Sequence, residues 1–337
     1  LIRHTRLPAA VTRDKVIDWL LEPDQPSIRY LTLTQLLGKK EADADVREAK
    51  ARIPKAGWAA DMLAKRDPGG WWVRDAHPMS PKFAAINWNL LALSDLGATR
   101  EIPEVRASCE LWMKKSPLNG GGVGGMSAGH GHHCYTGNMA RALITFGYGD
   151  DRKVRKALDW LVLTAHPKGG WTCWNYKDAP ATGRTLDSWE GLSAFAVYPK
   201  SKWTKSMTEC VEKGAEFFLE KELHNQGARY DPWYRFHWPM HYYYDILVGL
   251  EVLTALGYGD DKRLGFGLDL LMQKRRTDGR WNMDAVQPDW SPEDAPAAAK
   301  YYADHPNKRP TPLAFEEAGK PSKMITLRAL TVLSRAG

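Results

Sequence analysis

The stretch His130-Gly131-His132-His133-Cys134-Tyr135-Thr136-Gly137-Asn138-Met139-Ala140-Arg141-Ala142-Leu143-Ile144-Thr145-Phe146-Gly147-Tyr148-Gly149-Asp150-Asp151 carries the repeating unit of the chain. A polar segment rich in His and Cys leads into a largely apolar helix expected over about 137–146. The turn at Gly147 stops it: glycine supplies the positive φ of a helix C-cap, and the Asp pair offers a side-chain acceptor to the next helix. A second helical pattern from Arg152 to about Thr164 leads to Gly169-Gly170-Trp171-Thr172-Cys173-Trp174. If the two helices are antiparallel, the segments before the first and after the second return to one end. That places Cys134 and Cys173 on a common rim.

Working outward, the unit repeats. Glycine turns recur at Gly69-Gly70-Trp71, Gly120-Gly121-Gly122, Gly169-Gly170-Trp171, Gly227 and Gly279-Arg280-Trp281, about 50 positions apart, which is room for two helices and two turns. The alternate turns appear at Leu37-Gly38, Leu96-Gly97, Phe146-Gly147, Tyr198-Pro199 and Leu256-Gly257. Apolar residues recur at helical spacing nearly everywhere, and strand signals are almost absent. Apolar helices are expected at about 27–37, 85–96, 137–146, 186–197, 242–256 and 323–335. More amphipathic ones are expected at 11–21, 42–64, 102–115, 152–165, 202–221 and 261–275. Helices apolar all round belong inside and one-faced helices outside. The fold class read from this is all-α, an (α/α)6 toroid: a double barrel of six inner and six outer helices. Residues 1–337 are expected to form a single domain with a Pro-rich loop at about 284–322.

Composition narrows the function classes. The net charge of +7 is spread along the chain rather than gathered in a stripe, so no nucleic-acid partner is expected. No apolar run is long enough for a transmembrane segment. A cytoplasmic protein is the expectation; because the chain starts at Leu1, export stays open. Four cysteines in 337 residues make no disulfide framework. Cys109 and Cys210 fall inside helical patterns, while Cys134 and Cys173 fall in turns beside His, Gly and Trp. The fifteen Trp and thirteen Tyr include many in turns, where rings need a use beyond core filling.

With its Gly-x-Trp turns closing the outer helices, best seen in Gln273-Lys274-Arg275-Arg276-Thr277-Asp278-Gly279-Arg280-Trp281, the chain resembles the terpenoid cyclase and protein prenyltransferase superfamily. The likeness to the squalene-hopene cyclase repeat spans roughly 20–335 and looks closest to shorter bacterial and archaeal members. It implies a helical double barrel with a central aromatic cavity and a small-molecule or oligomeric substrate of isoprenoid type. The family's catalytic motifs do not carry over. The Asp-x-Asp-Asp acid is absent, and Asp43-Ala44-Asp45-Val46 lacks its last carboxylate. The Asp-Asp-x-x-Asp motif is missing. The prenyltransferase zinc ligands have no match at His241-Tyr242-Tyr243-Tyr244-Asp245 or in the last helix.

Candidate site residues come from the shared rim, where the N-termini of all inner helices emerge. Cys134, Cys173, His132, His133 and Asp187 form a candidate metal set, because thiolate, imidazole and carboxylate are the ligand types zinc takes. Zinc is therefore the expected cofactor, and lanthionine cyclases, another toroid family, are similar in using two Cys and one His. His130 belongs to the same cluster. Candidate acid–base residues are Asp245 and His241, four apart on one helix face, with His237 and Asp187. Candidate substrate-contacting rings are Trp71, Trp72 and Tyr135, then Trp171, Trp174 and Tyr176, and finally Trp233, Tyr242 and Trp281. Gly120 to Gly131 reads as a flap over the mouth, since it lacks the Lys-Ser/Thr of a phosphate loop. The leading expectation is an enzyme using metal or general acid–base chemistry on an apolar substrate in a cavity opening at this rim. A polysaccharide lyase or glycoside hydrolase, and a non-catalytic binding cup, remain alternatives. Oligomeric state is not legible.

Overall fold

The computed structural model describes residues 10–124, 131–173, 183–224, 229–286 and 313–337. Most of the Pro-rich segment expected at 284–322 therefore lies outside the described residues. What is described is predominantly α-helical.

Apolar helices alternate with charged ones. The apolar set is α2 (Pro26–Leu31) with a π turn at Thr32–Leu36, α5 (Ile86–Asp95), α7 (His133–Leu143) with a π turn at Ile144–Tyr148, α9 (Thr185–Val197), α11 (Ile246–Leu256) and α13 (Lys323–Arg335). Their residues are buried almost throughout, as in α5, where every position from Ile86 to Ser94 is buried. The more exposed set is α1 (Ala10–Leu20), α3 (Ala44–Arg52), α4 (Gly57–Ala64), α6 (Pro103–Lys115), α8 (Arg152–Thr164), α10 (Lys205–Leu219) and α12 (Gly265–Gln273). The pattern expected over 42–64 is two helices, because Pro54 cannot continue α3 and Gly57, at φ +72°, starts α4 afresh. From α5 on, each apolar helix packs against the next: α5 on α7, α7 on α9, α9 on α11, α11 on α13, and α13 returns to α2; α4 packs on both α2 and α5.

Local chemistry sets the boundaries. Asp151 accepts from Lys153 N at 2.7 Å to cap α8, Thr204 accepts from Met207 N to cap α10, and Ser322 accepts from Ile325 N to cap α13. α7 begins at His133, four residues before its apolar pattern, and α11 begins only at Ile246, since Asp245 is its N-cap. Gly137 lets α7 and α9 approach closely: a Cβ there would lie 2.5 Å from the Glu190 backbone. A short hairpin, β1 (Leu118–Asn119) and β2 (Gly122–Val123), occupies the start of the glycine-rich stretch. Residues 125–130 of the expected flap lie outside the described residues.

The repeated Trp turns have a common construction. The indole N–H of Trp72 donates to Met62 O, that of Trp171 to Leu161 O and that of Trp281 to Leu271 O, at 2.9, 2.8 and 2.7 Å. Each bond reaches ten residues back to the preceding outer helix and contributes about 1 kcal/mol beyond the burial of the ring. A hydroxyl at the fourth position of the following inner helix completes the joint. Val123 N donates to Thr136, Trp171 N to Ser188 and Trp281 N to Thr326.

Candidate metal centre

Three turns converge on one end of the α7–α9 pair. His132 caps α7, and its backbone N–H donates to Val123 O at 2.9 Å. Cys134 is the second residue of that helix, and Asp187 the third of α9. Cys173 follows Trp171, which is held by α8 through its ring and by Ser188 through its backbone. The result matches the antiparallel geometry read from the sequence. Cys134 N–H donates to Cys173 Sγ at 3.1 Å, and Cys173 N–H donates to Asp187 Oδ2 at 3.2 Å. Both sulfurs and a carboxylate oxygen of Asp187 lie within 4.8 Å of one another.

The electrostatics are those of one thiolate among donors. The Cys134 thiol hydrogen bond, with further bonds from His132 and the Cys134 backbone N–H, pulls the Cys173 thiol well down, against the opposing effect of burial. Cys134 goes the other way and holds the shared proton, because a second thiolate beside the first in a buried place is unfavourable. The bond to Cys173 raises His132. Burial, reinforced by the Cys173 charge, pushes Asp187 up to about 7.

The donor set fits a zinc ion. Two thiolates at ordinary zinc–sulfur lengths sit about 3.8 Å apart in a tetrahedral site, so a triangle with sides up to 4.8 Å closes on an ion by moving about 1 Å. Cys134, Cys173 and Asp187 would be the ligands, with His132 against Cys173. The two cysteines are half-buried and free of disulfide, and Asp187 is 8% exposed.

Other expected residues are distributed differently. His133 is engaged, Nδ1 with Thr172 O and Nε2 with Thr164 Oγ1, both at 3.0 Å, and its ring stacks on Trp160 at 4.5 Å. His130, Trp174 and Tyr176 lie outside the described residues. His241 and Asp245 do not form the pair that their spacing suggested, because α11 starts too late to hold both. Asp245 instead binds His237, with Nδ1 to Oδ2 at 2.6 Å, and caps α11 through Val248 N at 2.8 Å. His241, at φ +47° ahead of the helix, packs between Phe83 and Trp88. Burial, with the charges of His237, Lys82 and Arg141, pushes it down to about 3.

The expected substrate rings are mostly in packing. Trp71 is 6% exposed, and Trp171 and Trp281 are wholly buried. Tyr135 binds Trp112 and Ser116 through its hydroxyl. Trp233 meets Tyr244 edge-on at 5.2 Å. Tyr242 is stacked on Tyr243 at 4.3 Å, and its hydroxyl is bound by Lys82 Nζ.

A cavity of about 340 Å³ lies at the opposite end, among the C-terminal halves of the inner helices. It is walled by Trp189, Trp238, Met240, Val248 and Leu327, with two ion pairs: Arg141 on Asp95 at 2.7 Å and Arg328 on Glu251 at 2.5 Å. This cavity does not open at the Cys/His rim, where residues 125–130 and 174–182 lie outside the described residues. The segment from Phe236 to Asp245 folds in over the inner helices on the rim side, where His237 and Arg328 pin it. The sequence reading passed over Arg141, Glu190, Glu251 and Arg328. The signal was present, since each is a charged residue inside an otherwise apolar helix.

No family model matches the chain, and no curated protein sequence matches it. Among solved structures it is similar to a protein from Actinoplanes at 16% identity and TM-score 0.45, with 97% of this chain and 99% of that one covered. It is also similar to the type II terpene cyclase MstE from Scytonema without ligand, at 13% identity and TM-score 0.33, covering 82% and 95% of the two chains. A variant of that cyclase in complex with its substrate geranylgeranyl dihydroxybenzoate gives 13%, TM-score 0.33, and 92% and 97% coverage. Similarity at this level assigns neither residues nor chemistry to this chain.

Proposed function

We propose that this chain is a zinc enzyme built on an (α/α)6 toroid, forming a single domain, with its reactive centre at the rim. Cys134, Cys173 and Asp187 would hold the ion, three protein ligands being the number a catalytic rather than a structural zinc takes. Bound there, zinc supplies a Lewis acid. His132 is placed to give and take a proton beside Cys173. The observation that carries this reading is the triangle of two sulfurs and one carboxylate oxygen within 4.8 Å, assembled from three separate turns.

The substrate in this reading is a mostly apolar small molecule of isoprenoid type. It rests on the resemblance of the repeat; the cavity, where Trp189, Trp238, Met240, Val248 and Leu327 meet the Arg141–Asp95 and Arg328–Glu251 ion pairs, lies at the other end of the inner helices and is not the pocket of this centre. The test is elemental analysis of protein expressed with zinc supplied, alongside Cys134→Ser and Cys173→Ser, followed by turnover assays with polyprenyl diphosphates. About one zinc per chain in the parent and almost none in either variant supports the centre. Protein free of metal in all three removes it. Zinc without turnover leaves a metal-binding protein that is not this enzyme.

A further inference from the structure

The cavity at the far end of the inner helices has no part in the rim centre, and its two ion pairs are built unevenly. Its volume of about 340 Å³ lies at the small end of the range for pockets that take small molecules. One pair joins Asp95 on α5 to Arg141 on α7, and the other joins Glu251 on α11 to Arg328 on α13. Helix α9, which packs on both α7 and α11, lies between the pairs and contributes Trp189 and Ser193 to the lining.

Arg328 spends its whole guanidinium. Nε and Nη2 donate to Glu251 Oε2, Nη1 donates to the His237 carbonyl, and Nη2 also meets Met240 Sδ. Arg141 spends one nitrogen. Nη1 donates to Asp95 Oδ1 at 2.7 Å, whereas Nε and Nη2 have no hydrogen-bond partner among the described residues. Those two nitrogens form one edge of the guanidinium, the fork that takes both oxygens of a carboxylate. The Arg141 side chain is only 9% exposed, and donors so deeply buried are rarely left bare. The other lining atoms in that state are Trp238 Nε1, a donor, and Asp95 Oδ2, an acceptor. Three donors against one acceptor call for a ligand that brings acceptors.

We propose that this cavity binds a small amphipathic carboxylate, with its two oxygens on the Nε–Nη2 edge of Arg141 and its apolar body against Trp189, Trp238, Val248 and Leu327. Arg141 keeps Asp95 on Nη1 and turns its unused edge to the ligand. Charge fixes the class. Arg141, Arg328 and Arg335 line the cavity with Asp95 and Glu251, which leaves one positive charge in excess. Arg335 is exposed and makes no ion pair among the described residues. One negative charge on the ligand completes the balance. A phosphate monoester would bring a second charge up to Asp95 and Glu251, and an amine would offer donors to a wall already rich in them. The site does not rest on the zinc reading of the rim.

Titration calorimetry of the full chain with octanoate, octanol and octylamine tests this, since the three share an apolar body and differ in the head group. Octanoate is expected to bind about ten-fold or more tightly than the other two, and Arg141→Gln to remove most of that advantage. Arg141→Gln also leaves Asp95 unpaired, so a second variant spares both ion pairs. Ala255→Trp, at a half-buried lining position, fills the cavity and is expected to abolish octanoate binding. Cys134→Ser is expected to bind octanoate as the parent does, which separates this site from the rim. No binding of octanoate by the parent overturns the proposal, and so does octanol or octylamine binding equally well. Octanoate binding unaltered by Ala255→Trp overturns it too. Crystals of the unaltered chain soaked in 8-bromooctanoate make the test without a variant. Bromine in the cavity with the carboxylate on Arg141 supports the site, and water alone on that edge overturns it.

Discussion

Two regions of this protein bring histidine and carboxylate together, and they do opposite things with them. Around Asp245 every ligand atom is spent. One oxygen takes His237 Nδ1 at 2.6 Å and His237 N at 3.0 Å, the other takes Val248 N, and the His237 carbonyl accepts from Arg328. Both residues are wholly buried. At the rim, Cys173 gathers donors while its thiol is drawn toward thiolate, and the half-buried Cys134 and the buried Asp187 lie beside it. The first arrangement fixes a loop onto helix ends. The second keeps lone pairs in reserve, and reserve is what ligand binding needs. Residue type alone does not separate the two.

The sharpest way to break the comparison is to exchange carboxylate for amide in both places. Asp187→Asn is expected to lower zinc affinity on the order of 100-fold, while Asp245→Asn leaves it unchanged, as read by competition with a chelating dye. Equal losses would mean that the two regions are not distinct.

Acid provides the next contrast. His241, at about 3 in the folded chain against 6.5 ordinarily, binds its proton only after unfolding over the range between. The unfolded state then carries more protons, so stability rises with pH across that window and is fully present above about 6.5. Urea unfolding between pH 6.5 and 3 should show this slope, and His241→Phe should make it shallower by up to about 1.4 kcal/mol per pH unit. An unchanged slope would show that His241 is not held neutral by its surroundings.

Smaller effects test the packing. Asp245→Ala removes a helix cap and a buried hydrogen bond to His237, with an expected loss of about 3 kcal/mol in urea unfolding and no loss of metal. Gly137→Ala forces a Cβ against the Glu190 backbone and should cost about 2 kcal/mol. Because it parts α7 from α9, it should also weaken zinc binding. Destabilisation without weaker binding would separate the helix contact from the site.

Much of this was legible in the sequence. Helical periodicity located the helices to within a few residues, and the alternation of up and down helices placed Cys134 against Cys173 without any recognised spacing motif. Terminal chemistry was harder. Spacing put His241 and Asp245 on one helix, but Asp245 serves as the cap, so the helix begins after both. The Trp turns suggested a wall for substrate because exposed and buried indoles look alike in sequence. Only the ten-residue hydrogen bonds to the preceding helix identify Trp72, Trp171 and Trp281 as joints between layers. The ion pairs of Arg141 with Asp95 and Arg328 with Glu251 join helices far apart in the chain. Periodicity marks such residues as anomalous in an apolar helix but does not name their partners.

Two thiolates and a carboxylate at the rim are expected to hold one metal ion. X-ray absorption at the zinc edge of the purified, zinc-supplemented protein tests it most directly. Two sulfur neighbours at about 2.3 Å with oxygen or nitrogen completing the shell are expected, falling to one sulfur in Cys134→Ser. A shell of oxygen and nitrogen alone, or the absence of zinc, would mean that Cys134 and Cys173 do not hold a metal.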